Sequence, residues 1–129
     1  MEIWRKMVDI IVPIYNAFED LEICLKSVYA NTDLKANRLI LINDKSPDPR
    51  IKEFLDRQLK LPDKNIIVIH NEVNKGFSGN INLGMEQSSE NDVLLLNSDT
   101  IVTNNWIEKI VKCAYSDIAI GTVTPLSNN

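Results

Sequence analysis

The fold is decided by one stretch of sequence, Asp92-Val93-Leu94-Leu95-Leu96-Asn97-Ser98-Asp99-Thr100. Its apolar run is too short for a surface helix and is typical of a strand buried on both faces of a parallel sheet. Three polar side chains follow the run. Because burying them without partners would cost several kcal/mol, we expect this strand end to open onto water, a cation or a ligand.

The composition is that of an ordinary soluble protein. The chain has 129 residues, a formal net charge of −4 and 44% hydrophobic residues, which predicts a single domain over residues 1–129. The negative charge argues against nucleic acid or an anionic membrane surface as a partner. No apolar run near the N-terminus is long enough for a signal peptide or a membrane span, so we expect a cytoplasmic protein. Cys24 and Cys113 lack metal-ligand spacing and are predicted to be small buried residues.

Apolar runs alternate with helical patterns along the whole chain. Strands are predicted at residues 8–14, 39–42, 66–69, 93–96 and 118–123, and helices at 18–31, 49–59, 78–88 and 103–111. Asp48 is the expected N-cap of the second helix, with Pro49 at its first position, and Thr103 is the expected cap of the fourth. This order predicts an α/β protein with an open, mostly parallel, Rossmann-like sheet and helices on both faces.

Polar residues follow four of these strands. They are Tyr15-Asn16, Asn43-Asp44, His70-Asn71 and Asn97-Ser98-Asp99. Ligands of open parallel sheets bind beyond the carboxyl ends of the strands, where the strand order reverses. We therefore expect these residues to share one edge of the sheet and to form a site.

Each candidate residue also has a simpler interpretation. Asp99 could provide carboxylate oxygen to Mg²⁺ or Mn²⁺, or it could cap the next turn. Asp44 could accept a hydrogen bond from a nucleobase imide, or it could be a turn residue before Pro47. Tyr15 could stack on a base or pack against the sheet edge. His70 has no histidine or cysteine beside it, so a structural role is expected.

The loop from Gly76 to Gly79 precedes the third predicted helix. Its backbone N–H groups could approach an anion at the helix N-terminus, which would make a phosphate site, although such a loop is more often only a turn. It has neither the lysine-serine pair of a P-loop nor the glycine spacing of a dinucleotide-binding turn.

Four ordered motifs carry a family resemblance. They are Asp9-Ile10-Ile11-Val12-Pro13-Ile14-Tyr15-Asn16, Ile42-Asn43-Asp44-Lys45-Ser46-Pro47-Asp48, Asn74-Lys75-Gly76-Phe77-Ser78-Gly79-Asn80-Ile81-Asn82-Leu83-Gly84 and Leu95-Leu96-Asn97-Ser98-Asp99-Thr100. Together they resemble family-2 glycosyltransferases of the GT-A fold over residues 8–124. The resemblance implies the nucleotide-binding half of an enzyme that transfers a sugar, with inversion, from a nucleotide diphosphate to an acceptor.

The resemblance also implies roles for individual residues around the donor. Pro13, Tyr15 and Asn16 would border the nucleobase and ribose, Asp44 would hydrogen-bond the base, and Gly76 and its neighbours would lie along the nucleotide pocket. The implied donor is a UDP- or dTDP-sugar. The implied acceptor is a saccharide or a lipid-linked molecule, as in cell-surface polysaccharide biosynthesis.

The implied metal site departs from the family pattern. The D-x-D signature of the family stands here as Asn97-Ser98-Asp99, so the first carboxylate is absent. The resemblance then implies that Asp99 binds the divalent cation, Mn²⁺ or Mg²⁺, with help from Asn97 or Ser98, and that Ser98 also contacts the nucleotide.

The general base of the family lies in an acceptor-binding half, which we expect beyond residue 129. No residue here is assigned that role, and we expect a fragment that binds nucleotide without transferring sugar. The full-length protein would then act in the cytoplasm or at the inner face of the membrane.

Two alternatives remain open at this point. One is a flavodoxin-like nucleotide-binding or regulatory module without transferase activity, which the absence of an acid in Pro13–Asn16 disfavours. The other is a fragment that self-associates through an uncovered sheet surface.

Overall fold

Four parallel strands and four helices alternate along the chain. The structure is a computed structural model that describes residues 7–126. Its elements are β1 (Val8–Ile14), α1 (Phe18–Asn31), β2 (Arg38–Asn43), α2 (Pro49–Gln58), β3 (Asn65–His70), α3 (Gly76–Glu86), β4 (Asp92–Leu95) and α4 (Trp106–Ala114). The strands lie in the order β3-β2-β1-β4, and every pairing is parallel. The predicted α/β class and parallel sheet are confirmed.

The alternation of side chains along β1 divides the core between the two faces of the sheet. Ile10, Val12 and Ile14 belong to a cluster that includes buried residues of α1, α2 and α4. Ile11 points to the other face, where Ile81 of α3 packs. The helices therefore cover both faces, as the alternating elements predict.

The first two helices form where the sequence predicts them. The buried residues of α1 are Leu21, Cys24, Leu25 and Val28, which form one helical stripe. Helix α2 begins at Pro49, and the side chain of Asp48 accepts a hydrogen bond from the Arg50 amide at 3.0 Å. This cap satisfies one of the unpaired N–H groups at the helix start.

Strand β4 is not buried on both faces, so that part of the expectation is wrong. It forms one edge of the sheet, and its side chains Val93 and Leu95 are 36% and 52% exposed. The reason is the position of α3, which packs over β1 and β2 in a cluster that contains no residue of β4.

Three further predictions are wrong near the C-terminal end. Residues 118–123 form no strand, and Ile118 is fully exposed, because an apolar alternation makes a strand only where a neighbouring strand supplies hydrogen bonds. Helix α4 begins after Asn105 with no side-chain cap, and Thr103 contributes only its carbonyl, which accepts a hydrogen bond from the Trp106 amide. Cys113 is exposed, whereas Cys24 is buried as predicted.

Within residues 7–126, no helix has both the length and the apolar character needed to cross a membrane.

Candidate functional site

A cleft lies beyond the carboxyl ends of β1 and β2. The two ends are adjacent, since Ile14 pairs with Asn43 and the amide of Asp44 donates to the Ile14 carbonyl at 2.8 Å. The cleft has a volume of 540 Å³, within the usual range of small-molecule sites. We call it the strand-end cleft, and its lining is Pro13, Ile14, Tyr15, Asp44, Lys45, Asn74, Gly76, Phe77 and Asn80. Four predicted site residues, Pro13, Tyr15, Asp44 and Gly76, are thus brought together.

The carboxylate of Asp44 is the centre of a hydrogen-bond network. The residue is only 3% exposed. Its Oδ1 accepts from the amide of Lys75 at 2.6 Å and from Nδ2 of Asn71 at 3.0 Å, while Oδ2 accepts from the amide of Gly76 at 2.9 Å. Asp44 therefore acts as a distant cap for the start of α3, because it satisfies N–H groups that the helix itself cannot pair.

This contact changes the interpretation of the glycine loop. The anion at the N-terminus of α3 is a carboxylate of the chain itself, so the amides of Lys75 and Gly76 are not free for a phosphate. Gly76 has a φ of +75°, and a Cβ there would contact nothing within 4 Å. Glycine is favoured at this position by its backbone angle and not by lack of space.

The third strand end contributes one residue to the network and one to the scaffold. Asn71 donates to both Asp44 and Asn80. The side chain of His70 does not join this network. Its Nε2 lies 2.7 Å from Oδ1 of Asp56, and its Nδ1 lies 3.1 Å from Nδ2 of Asn43. The hydrogen bond from His70, with a further one from Lys52, holds the pKa of Asp56 below its usual value. His70 joins β3 to α2, which is the structural role expected of it.

Left-handed residues connect the strands to the loops around the cleft. Asn16, Ala17 and Lys45 have φ values of 52°, 54° and 56°. Residues other than glycine rarely adopt this left-handed region. Asn16 does not line the cleft. Its amide donates to Oγ of Ser46 at 2.9 Å, and its Oδ1 accepts from the amide of Asp48 at 3.1 Å. Asn16 thus joins the two loops that support Tyr15 and Asp44.

The Asn97-Ser98-Asp99 turn lies beyond the end of β4. The amide of Thr100 donates to the carbonyl of Asn97 at 3.1 Å and closes the turn. Ser98 is half-buried and Asp99 is exposed, and neither lines the strand-end cleft. Asn97 instead borders a larger, 1350 Å³ cleft between β4 and α4.

The turn is held to α1 by a buried thiol. The Sγ of Cys24 donates to the carbonyl of Asn97 at 3.7 Å. Burial, together with the charge of Asp99, raises the pKa of Cys24 to about 11. This thiol is therefore a neutral structural group and not a nucleophile at neutral pH.

The side chains of this turn offer oxygen donor atoms. Among residues 7–126, no group of three or more histidine, cysteine or acidic side chains could hold a metal ion. Asp99, Ser98 and Asn97 provide a carboxylate, a hydroxyl and an amide, and the Asp99 carboxylate accepts no hydrogen bond from the described residues. Hard oxygen donors of this kind suit Mg²⁺ or Mn²⁺, provided that water or ligand phosphates complete the coordination.

The lining also contains residues for which the sequence indicated no individual role. Phe77 is 62% exposed and lines the cleft with Tyr15, which is 53% exposed. The sequence feature that could have indicated Phe77 is the position of an aromatic residue directly after Gly76 in an otherwise polar segment. Lys45, Asn74 and Asn80 also line the cleft. All three lie within the family motifs, but their residue types alone do not distinguish them from ordinary loop or helix residues.

The sequence has relatives in several bacteria. The chain is 34% identical over 105 residues to an uncharacterized glycosyltransferase of Haemophilus influenzae, covering 81% of this chain and 32% of that protein. It is 32% identical over 104 residues to the Escherichia coli protein WfgD, a UDP-Glc:alpha-D-GlcNAc-diphosphoundecaprenol beta-1,3-glucosyltransferase, covering 79% of this chain and 38% of that protein. The chain therefore spans about a third of the length of these relatives.

Solved structures share the fold. The mannosyltransferase PcManGT from Pyrobaculum calidifontis, in complex with GDP-Man and Mn²⁺, matches with a TM-score of 0.75 at 18% identity, over 84% of this chain and 32% of that one. S. aureus TarS 1-349, in complex with UDP-GlcNAc, matches with a TM-score of 0.70 at 19% identity, over 84% of this chain and 32% of that one. At these identities the likeness shows the GT-A fold alone.

The family model of glycosyl transferase family 2 matches residues 9–126. This match covers nearly all of the described residues and agrees with both the relatives and the fold. The chain belongs to glycosyl transferase family 2.

Proposed function

We propose that this chain is the donor-nucleotide-binding part of an inverting glycosyltransferase that uses a UDP- or dTDP-sugar. The observation that carries the proposal is the strand-end cleft, where the buried carboxylate of Asp44 lies in one lining with the exposed rings of Tyr15 and Phe77. The match to family 2 favours this function over a flavodoxin-like regulatory module.

The hydrogen bonds of Asp44 limit what the carboxylate can bind. A carboxylate offers about four acceptor positions. Two on Oδ1 are used by Lys75 and Asn71, and one on Oδ2 is used by Gly76. One position on Oδ2 is left, which suits a base that offers a single imide N–H, as uracil and thymine do.

Aromatic rings and ordered backbone would hold the rest of the nucleoside. The exposed faces of Tyr15 and Phe77 can stack on a base, a contact worth about 1–3 kcal/mol per base. Pro13 borders the same cleft, and Asn16 fixes the loops from which Tyr15 and Asp44 project. The site is therefore organised before a ligand arrives, which lowers the entropic cost of binding.

The diphosphate would extend from this cleft towards the turn at the end of β4. There Asp99, with Ser98 and Asn97, would hold Mn²⁺ or Mg²⁺, as their oxygen donors allow. Such a cation neutralises charge that develops on the leaving diphosphate. The Mn²⁺ in the PcManGT complex supports this assignment.

The acceptor and the general base are assigned to parts of the protein outside residues 7–126. The lipid-linked substrate named for WfgD supports a saccharide or lipid-linked acceptor and a role in polysaccharide biosynthesis. Such an acceptor would place the whole enzyme in the cytoplasm, at the inner face of the membrane. Within the donor part, the described residues bind and orient the nucleotide and do not activate the acceptor.

Calorimetric titration with UDP and dTDP in the presence of Mn²⁺ tests the proposal. We expect saturable binding to a single site, and a flat response to every nucleoside diphosphate would overturn it. Asp99→Ala should remove the effect of Mn²⁺ on binding and leave the melting temperature unchanged. Asp20→Ala, at an exposed carboxylate of α1, is the matched control and should keep the metal effect. Unchanged metal dependence in Asp99→Ala would refute the ligand role.

A further inference from the structure

We propose that Asn80 is a specificity-determining residue that donates a hydrogen bond from Nδ2 to a carbonyl group of the base, beside the imide bound by Asp44. The inference rests on the proposed function and concerns how that site chooses its base. Asn71 and Asn80 form a buried amide pair, and the two residues are 9% and 2% exposed.

The orientation of the two amide groups follows from the carboxylate beside them. An ionised carboxylate only accepts hydrogen bonds, so the Asn71 atom that lies 3.0 Å from Oδ1 of Asp44 must be the nitrogen. That nitrogen has a second hydrogen, which points to an Asn80 atom 2.6 Å away. The Asn80 atom must therefore be its oxygen, and the Nδ2 group of Asn80 faces away from Asn71.

The free Nδ2 group of Asn80 faces the strand-end cleft. Asn80 is part of the lining of the cleft, and its Nδ2 donates to no acceptor among residues 7–126. Yet no fully buried side-chain nitrogen or oxygen of the described residues lacks a partner. The Nδ2 atom is consequently not fully buried, and because Asn80 and Asp44 both line the cleft, we infer that Nδ2 is a donor on the cleft side, near the carboxylate of Asp44.

This pair of groups distinguishes bases by the order of their donors and acceptors. Uracil and thymine present N3–H to Asp44 and an adjacent carbonyl to Asn80, so both protein groups are paired. If stacking on Tyr15 and Phe77 holds each base in the position that uracil would occupy, cytosine and adenine place a ring-nitrogen acceptor against Asp44 and an amino donor against Asn80, so both protein groups are mismatched. Guanine offers N1–H and a carbonyl but adds an amino donor, for which Asp44 has no acceptor position left. The expected order is UDP and dTDP, then GDP, then CDP and ADP.

Titration of the chain and of Asn80→Ala with these five nucleoside diphosphates tests the assignment. The unmodified chain should bind UDP at least about tenfold more tightly than CDP, because both groups are mismatched in CDP. Asn80→Ala should lower the affinity for UDP about five- to tenfold without lowering the affinity for CDP. Asn82→Ala is the matched control, since Asn82 is exposed on α3 and does not line the cleft.

A second arm alters the ligand, so it needs no folded variant. Sulfur accepts hydrogen bonds poorly. One of the two analogues, 2-thio-UDP or 4-thio-UDP, should therefore bind the unmodified chain several-fold more weakly than UDP, and which one does so identifies the carbonyl that Asn80 contacts. Equal affinity for UDP and both analogues, or an unchanged UDP-to-CDP ratio in a folded Asn80→Ala variant, would overturn the role of Asn80 alone. Failure of the unmodified chain to bind any nucleotide would overturn the proposed function and this inference together.

Discussion

Replacing Asp44 by asparagine tests whether one buried carboxylate holds the start of α3. In the best orientation, the amide oxygen of the variant replaces Oδ1 and keeps the hydrogen bonds from Lys75 and Asn71. The amide nitrogen then replaces Oδ2 and faces the N–H of Gly76, which is 2.9 Å from Oδ2 in the native chain. Two donors would face each other in a site that is only 3% exposed, and the Gly76 amide would keep only its longer contact, 3.2 Å, with Oδ1 of Asn74.

The cost follows from these contacts. Loss of one hydrogen bond to a charged acceptor costs about 1.5–3 kcal/mol, and loss of the negative charge at the helix start costs about 0.3–1 kcal/mol more. The free energy of unfolding should therefore fall by about 2–4 kcal/mol. For a chain of 129 residues, with an unfolding entropy of about 2.1 cal/mol/K per residue, the melting temperature should fall by about 7–15 °C.

Thermal unfolding followed by circular dichroism gives the change in stability, and amide hydrogen exchange locates it. The amides of Lys75 and Gly76 should exchange faster in Asp44→Asn. Asp20→Asn is the control, because that carboxylate is exposed in the first turn of α1. If Asp44→Asn has the same melting temperature as the control and the amide exchange rate of Gly76 does not change, Asp44 does not cap α3.

Two other predictions concern packing and thiol chemistry. Gly84→Ala should lower the free energy of unfolding by about 1–3 kcal/mol, because a Cβ there would lie 2.6 Å from an isoleucine methyl group of β1. The control is Gly121→Ala, which should have the melting temperature of the native chain because a Cβ there meets nothing within 4 Å. Equal stability of the two variants would contradict tight packing at Gly84. At neutral pH a maleimide should label exposed Cys113 and leave Cys24 unmodified, since burial raises the pKa of Cys24 to about 11. Mass spectrometry gives the number of labelled thiols, with the urea-unfolded chain as the control in which both should react. Labelling of both thiols in the native chain would refute the prediction.

Local patterns were sufficient for much of the fold. The stripe of α1 and the Asp48-Pro49 start of α2 depend on residues within one or two helical turns, so they are visible in the sequence. A strand depends instead on a partner elsewhere in the chain. Residues 118–123 have the composition of a strand but pair with none of the described strands, and hydrophobic patterning alone cannot reveal that.

The same distinction applies to the strand-end cleft. Pro13, Tyr15 and Asp44 could be placed together because the carboxyl ends of adjacent parallel strands share one edge. The capping of α3 could not be predicted, because Asp44 and Gly76 are 32 positions apart. No individual role could be predicted for Asn80 for a similar reason, since its proposed role depends on a contact with Asn71 and not on its neighbours in α3.

Asp44 has two structural roles, and together they limit how this protein could evolve a new ligand preference. Since the residue both secures a helix and faces the cleft, most replacements would cost stability before they offered any selective advantage. Lys45, which is exposed in the same lining, carries no such penalty. Among descendants that diverge in ligand, we therefore expect substitutions to accumulate around the carboxylate while the acid itself persists.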